Sequence, residues 1–430
     1  MSYLYGKYFQ LDSRLTNIIL QAEKNIEPFI QNTHEITLDN QSKILRAFKK
    51  HRVSEFHFAG STGYGYNDSG RQTLESIYAE VFGTEESLVR THFVSGTHTL
   101  WVCLDALLSP GNTLLSAAGA PYDTLQKVIG LSSPTQKGTL LHKGVHYRQI
   151  ELTSDGTIDF KELERLLKKI KNTAVVLLQR SRGYAWRPAV TLGEIETAAR
   201  LIEKINPDII LFVDNCYGEF VNTREPAEVG AHLTAGSLIK NPGGGLAPAG
   251  GYAAGRKDLM ERIADRLTAP GLGKEVGATL NQNRSLFQGL FLAPHAVGES
   301  LKTAIFAAAL FEEMGFEVSP VFQQPRSDIV QSIKFTHPET MLSFCRGIQM
   351  HSPVDSYVHP QPAPVAGYGD QVVMAAGTFV QGGSLELSAD APYRSPFTAY
   401  LQGGLTYEHG KIAVIGAAKE VFETLHRNKT

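Results

Sequence analysis

The sequence predicts an α/β protein with a mostly parallel sheet, followed by a smaller C-terminal α+β domain. Between about residues 90 and 255, short apolar runs alternate with amphipathic stretches, the pattern of strands joined by helices in a parallel sheet. After about residue 300 the texture changes to an Ala-rich helix, then Pro- and Gly-rich loops from Ser352 to Gly369, an apolar run Val372 to Val380 and a last helix from about Gly410. A chain of 430 residues also exceeds what one core holds, because single cores stop growing at roughly 250 to 300 residues. The expected organisation is an N-terminal helical arm over 1–50, a large α/β domain over 51–300 and a small α+β domain over 301–430. The arm, with helical stretches such as Asp12 to Ile26, is expected to pack on a neighbouring subunit.

The elements follow from local pattern. Val89 to Val94 reads as a strand and Thr97 to Leu108 as a helix, whose Leu100, Cys103, Leu104, Leu107 and Leu108 form one apolar stripe that Pro110-Gly111 ends. Thr113 to Ala117 and Tyr147 to Leu152 read as strands, Phe160 to Ile170 as an amphipathic helix, and Ala174 to Leu178 as a buried strand. Leu192 to Lys204 reads as a helix and Ile209 to Val213 as an all-apolar strand.

Composition excludes several classes. Hydrophobic residues make up 42% and charged residues 20%, with a formal net charge of -2, so nothing draws the chain to nucleic acid or to a membrane surface. Apolar stretches such as Ile305 to Phe311 fall far short of the ~20 residues a bilayer span needs. The expected location is the cytoplasm. Cys103, Cys216 and Cys345 are widely separated and read as reduced thiols, and no His/Cys/Asp/Glu cluster has metal-ligand spacing. A nicotinamide site is disfavoured, because no Gly-x-Gly-x-x-Gly follows an early strand.

Ligands of open parallel sheets bind beyond the carboxyl ends of the strands, so polar residues just after apolar strands are the first candidates. At Val94-Ser95-Gly96-Thr97-His98 a strand gives way to a helix start, where free N–H groups and the helix dipole favour a phosphate. Ser95 also reads as a plain N-cap and His98 as a helix-face residue. At Val213-Asp214-Asn215 a carboxylate follows a buried strand, where it can hold a pyridine nitrogen protonated. At 2.8 Å and an effective dielectric of 20 that attraction is roughly 6 kcal/mol before desolvation, enough to raise a pyridine pKa by several units. A plain turn cap is the competing role for Asp214. At Ser237-Leu238-Ile239-Lys240, a lysine closes an apolar run and precedes Asn241-Pro242-Gly243-Gly244-Gly245. Desolvation and a nearby cation make such an amine nucleophilic toward an aldehyde.

Ser95-Gly96-Thr97, Ala120-Pro121-Tyr122-Asp123, Val213-Asp214-Asn215 and Ser237-Leu238-Ile239-Lys240 stand in the order found in the fold-type I pyridoxal-phosphate (PLP) enzymes of cysteine and methionine metabolism. The chain resembles their cystathionine β-lyase and methionine γ-lyase group, and most nearly its aluminium-resistance or methionine γ-lyase-like branch. The likeness spans about residues 60 to 255 and is looser beyond.

It implies the aspartate aminotransferase fold, PLP as cofactor, and a homodimer or homotetramer with active sites shared between subunits. Carried over, Lys240 holds the cofactor as a Schiff base and Asp214 pairs with its ring nitrogen. Tyr122 stacks on the ring and assists the leaving group. Gly96 and Thr97 give N–H groups and Ser237 a hydroxyl to the phosphate, with Ser95 at the same turn. Tyr64, in Tyr64-Gly65-Tyr66, matches the tyrosine that reaches a neighbour's phosphate, and Arg394, after Ser384-Leu385-Glu386-Leu387, lies where the group has an arginine for the substrate carboxylate.

The chain also departs from the pattern. Ile239 and Asn241 replace a threonine and an aromatic around the lysine, and Gln179-Arg180-Ser181-Arg182 replaces an Asn-Pro turn, leaving Arg180 or Arg182 as candidates for the cofactor's phenolic oxygen. The implied reaction is carbon–sulfur lysis of a methionine-, cystathionine- or cysteine-type substrate, by Cα deprotonation and β- or γ-elimination. The alternatives are a γ-replacement synthase and a PLP-holding amino-acid-binding protein with little turnover.

Overall fold

The computed structural model describes residues 7–133 and 135–427. The chain divides into Asp39–Ala293 and a second unit made of Met1–Leu38 with Pro294–Thr430. Both divisions fall inside helices, Ser13–Lys50 and Asn283–Glu313.

The Asp39–Ala293 unit is built on seven strands: β1 Glu86–Arg90, β2 Thr113–Ser116, β3 His146–Gln149, β4 Thr173–Gln179, β5 Ile210–Asp214, β6 Leu233–Ser237 and β7 Gly251–Gly255. Their order is β1-β7-β6-β5-β4-β2-β3. From β3 through β6 all pairings are parallel, whereas β7 runs antiparallel to both β6 and β1. The strand β5 is buried along its whole length, as expected for a parallel strand covered on both faces.

Strand alternation sorts the core into two layers. Leu177, Phe212, Ala235 and Ala253 share one face with Leu100, Cys103, Leu104 and Leu107 of the helix Gly96–Leu107. Val176, Leu178, Leu211 and Val213 share the other with Leu163 of the helix Phe160–Lys169 and Ile195, Ala198 and Ile202 of the helix Leu192–Ile205. The latter helix starts at a capping box between Thr191 and Glu194, an arrangement worth about 1 kcal/mol.

In the second unit β8 Glu317–Ser319, β9 Gln331–Lys334, β10 Ala363–Pro364, β11 Gln371–Ala375, β12 Ser388–Pro392 and β13 Thr398–Gln402 form an antiparallel sheet in the order β10-β11-β12-β13-β9-β8. Helices Pro338–Met350 and Tyr407–Arg427 share a core with it around Phe311, Phe335 and Phe344.

Three expectations change. The N-terminal helix does not stand out as an arm: Leu15, Ile19, Ala22 and Ile26 enter the core of the chain's own second unit, and Glu23 pairs with Lys411. Residues 1–6 of that expected arm lie outside the described residues. The strand read as Val89 to Val94 ends at Arg90, because β1 lies at the end of the strand order and its partner β7 gives out at the Arg90–Gly251 pair, and Val94 is left exposed. The run Val372 to Val380 leaves the sheet after Ala375, where the Glu386 carboxylate accepts the N–H groups of Phe379 and Val380 and turns the chain into a loop. Among the described residues, no helix is long and apolar enough to cross a membrane, and Cys103, Cys216 and Cys345 are all free and buried.

Candidate active site

Register places the polar strand ends side by side. Gln179 is paired with Asp214, and Asp214 with Ala235, while β6 runs two residues further to Ser237. By alternation Gln179, Asp214 and Ser237 fall on the face covered by the helix Gly96–Leu107, and Gly236 on the other.

That helix begins beside Ser237. Ser95 is its N-cap, its hydroxyl accepting the His98 N–H at 3.2 Å. The N–H groups of Gly96 and Thr97 belong to the first turn, which has no acceptors within the helix. A Cβ on Gly96 would lie 3.2 Å from Ser237 Cβ and 3.7 Å from Cys216 Sγ, so glycine keeps this helix start uncrowded against Ser237. Such a cradle of free N–H groups and a buried hydroxyl suits a phosphate.

Asp214 is 3% exposed and accepts the Cys216 N–H at 3.2 Å. Burial pushes its carboxyl above the usual range, and the nearby Lys240 pulls the other way. A buried carboxylate with one backbone partner suits a cationic ring nitrogen, which would supply the missing charge. The Lys240 Nζ lies 3.9 Å from the centre of the Tyr217 ring. Burial opposes its ammonium, but Cys216, Tyr217, Asp214 and Tyr122 outweigh it and hold its pKa well above the usual lysine value.

Tyr122 precedes the short helix Asp123–Ile129; its N–H donates to Gln179 Oε1 at 2.7 Å and its hydroxyl lies 3.0 Å from Thr97 Oγ1. Burial, with the Asp214 charge, raises its phenol above the ordinary range, so it stays a protonated donor. The phosphate cradle, the carboxylate, the lysine and the aromatic ring thus gather at one end of the sheet, and together they fit PLP.

Two further candidates have surroundings of their own. Tyr64 is 73% exposed and stacks on Tyr66 with ring centres 5.5 Å apart. Arg394 belongs to the second unit, where it is exposed and its Nη1 pairs with Asp370 Oδ2 at 2.6 Å. His98 has the helix-face role, its ring stacking on Trp101.

A network behind the strands was not foreseen from sequence. Arg180 is fully buried and donates to Asn215 Oδ1 at 2.7 Å, Gly218 O at 2.9 Å and Asn222 Oδ1 at 2.6 Å. Asn215 donates in turn to Glu225 Oε2 at 2.9 Å. The Tyr252 hydroxyl donates to Glu219 Oε1 at 2.9 Å, and burial, opposed by the backbone and reinforced by Glu225, pushes the Glu219 carboxyl up to about 8. Asn241 Nδ2 donates to Glu219 O at 3.0 Å. These groups explain the motif departures at Arg180 and Asn241: both brace the turn after β5. The one signal in the sequence was Asn215-Cys216-Tyr217-Gly218-Glu219, polar and glycine residues directly after an all-apolar strand.

Residues 15–422 match the family model described as methionine gamma-lyase. A carbon-sulfur lyase involved in aluminum resistance from Clostridium novyi NT is 48% identical, with 97% of this chain and 98% of that chain covered and a TM-score of 0.93. A protein of Clostridium acetobutylicum, provisionally named a cystathionine beta-lyase involved in aluminum resistance, is 43% identical over 98% of each chain with a TM-score of 0.94. The uncharacterized protein YnbB of Bacillus subtilis is 46% identical over 409 residues, 95% of this chain and 97% of that protein. At the level of fold alone, the pyridoxal-5'-phosphate-dependent protein YhfS of Escherichia coli superposes with a TM-score of 0.61 at 18% identity, over 91% of this chain and 97% of that one.

Proposed function

The chain belongs to the methionine gamma-lyase family of PLP-dependent carbon–sulfur lyases, and from that membership we propose that it cleaves a sulfur amino acid by Cα deprotonation and β- or γ-elimination. The observation that carries the reading is the approach of a buried carboxylate, Asp214, and a shielded lysine, Lys240, beside a helix start kept open by Gly96. In this reading the Gly96 and Thr97 N–H groups and the Ser237 hydroxyl hold the cofactor phosphate, Asp214 keeps the ring nitrogen protonated, and Tyr122 lies against the ring.

When bound, the cofactor supplies an electron-withdrawing ring that stabilises negative charge at the substrate Cα. Lys240 takes the Cα proton on Nζ and becomes an ammonium. For β-elimination the carbon–sulfur bond then breaks, and sulfur departs with the bonding pair while the Tyr122 hydroxyl donates a hydrogen bond to it. For γ-elimination a proton at Cβ must move first, a transfer assigned in this reading to the same amine. Arg394 is the proposed partner of the substrate carboxylate and Tyr64 of a neighbouring subunit's phosphate, in a cytoplasmic homodimer or homotetramer.

The test is to supply purified protein with PLP and offer cystathionine, methionine and cysteine separately, measuring keto acid and thiol beside a Lys240→Ala variant. Release of both products by wild type and not by the variant supports the lyase reading. A new thioether formed only when a second thiol is added would favour γ-replacement. Binding of amino acids without keto acid would favour the low-turnover reading that Ile239 raises.

A further inference from the structure

The turn that follows β5 holds two non-glycine residues in the left-handed region, Tyr217 at φ 70° and Phe220 at φ 61°. Bulky aromatic residues seldom adopt that conformation, and where they do the surroundings must enforce it. Here they are enforced from three sides. Arg180 binds Asn215 Oδ1 and Gly218 O, Glu225 Oε1 accepts the Phe220 N–H at 2.8 Å, and Glu219 O accepts the Asn241 side-chain N–H at 3.0 Å. The last bond ties the turn to the residue that directly follows Lys240.

This bracing holds the Tyr217 ring against the Lys240 amine, with Nζ 3.9 Å from the ring centre. Tyr217 is only half-buried, outside both apolar layers of its unit, and its backbone conformation is one that glycine adopts without strain.

We infer that Tyr217 is a positioning residue for the base: its ring face fixes the Lys240 amine for proton transfer and stabilises the ammonium that the transfer creates. In that step the substrate Cα–H bond breaks, its electron pair stays on the substrate, and a new N–H bond forms at Nζ, which gains a positive charge. An aromatic face attracts a cation within about 6 Å and does little for a neutral amine. The contact therefore strengthens as the proton moves, which is the property an accelerating interaction needs.

The inference rests on the lyase reading for its chemical consequence but not for the contact itself, and the experiment separates the two. Tyr217→Phe, Tyr217→Leu and Tyr217→Gly are made in the full chain. Three quantities are read: exchange of the substrate Cα proton with deuterated water in the PLP-loaded protein, thermal midpoint, and the pH profile of Lys240 acylation in cofactor-free protein, located by mass spectrometry. Tyr217→Phe keeps the ring and is expected to exchange within about twofold of wild type, whereas the Leu and Gly variants fall by about tenfold with unchanged cofactor content. Tyr217→Gly keeps or raises the thermal midpoint, and in both ring-less variants the acylation profile moves to lower pH. A Gly variant that melts earlier but exchanges normally, or an acylation profile unmoved by loss of the ring, would overturn the assignment. Absence of exchange in wild type with every sulfur amino acid would sink the lyase reading instead, and the acylation profile would still decide the Tyr217–Lys240 contact.

Discussion

Arg180 and Asn215 each follow the last residue of a strand, β4 and β5, and the guanidinium of the first donates to the amide oxygen of the second at 2.7 Å. The residues just before them, Gln179 and Asp214, are paired in the sheet. One tie thus fixes the Asp214 carboxylate from behind without touching it.

Replacing Arg180 by Met removes that tie and leaves Glu225 buried without its cation, 3.9 Å away in the native chain. Breaking a buried pair of this kind destabilises by about 3 to 5 kcal/mol. Urea denaturation is expected to show a lower midpoint at unchanged slope, together with weaker PLP retention on dialysis; a midpoint within error of wild type would mean the tie carries no stability.

Asp214→Asn keeps size and polarity and removes the charge opposite the ring nitrogen. Loss of an interaction aimed at developing charge lowers rates on the order of a hundredfold or more. Stopped-flow measurement of keto-acid formation at saturating PLP gives the check, and near-normal turnover would take Asp214 out of its assigned role.

Gly96→Ala puts a methyl 3.2 Å from Ser237 Cβ, inside the phosphate cradle. Overpacking by one methyl costs about 1 to 3 kcal/mol, and here it presses on Ser237, whose hydroxyl is displaced from the cradle, so PLP affinity is expected to drop about tenfold or more. A fluorescence titration with PLP measures this, and a thermal melt without cofactor should show the overpacking as a lower midpoint.

Glu219 gives a pH signature. Its folded pKa is raised from 4.5 to about 8, mainly by burial, so between those values the folded chain binds a proton that the unfolded chain has released. Stability from this group is complete below the lower value and is lost as pH rises through the window, with a slope of at most about 1.4 kcal/mol per unit. Subtracting the pH–stability curve of Glu219→Gln from that of wild type should therefore leave a difference that falls from pH 5 to pH 8. A flat difference would mean that Glu219 is ionised in the fold.

Much of this was legible because it is local. The Ser95 cap, the apolar stripe from Leu100 to Leu107 and the all-apolar β5 are written in consecutive residues, and the polar ends of those strands announce a site by position alone. The bracing network was not legible, since Arg180, Asn215, Glu225 and Tyr252 meet only once strands distant in sequence are paired, and charged residues are ordinarily surface residues. Nothing in the letters Cys216-Tyr217-Gly218 marks a left-handed tyrosine rather than a left-handed glycine. The helix Ser13–Lys50 was read as helical but not as core, because an amphipathic stripe does not name the surface that will cover it.

The pairing of Gln179 with Asp214 and of Asp214 with Ala235 also bears on how such a chain can change over evolutionary time. Side chains along a strand alternate between faces, so one residue inserted or deleted within β5 would turn the carboxylate to the far side of the sheet and Asn215 to the near one. Point substitutions that stay apolar between Ile210 and Val213 are open to drift; a change in length there is not. Viable insertions and deletions in the lineage are therefore expected to gather in the surface connections, while the residue count from Ile210 to Asp214 is passed on intact.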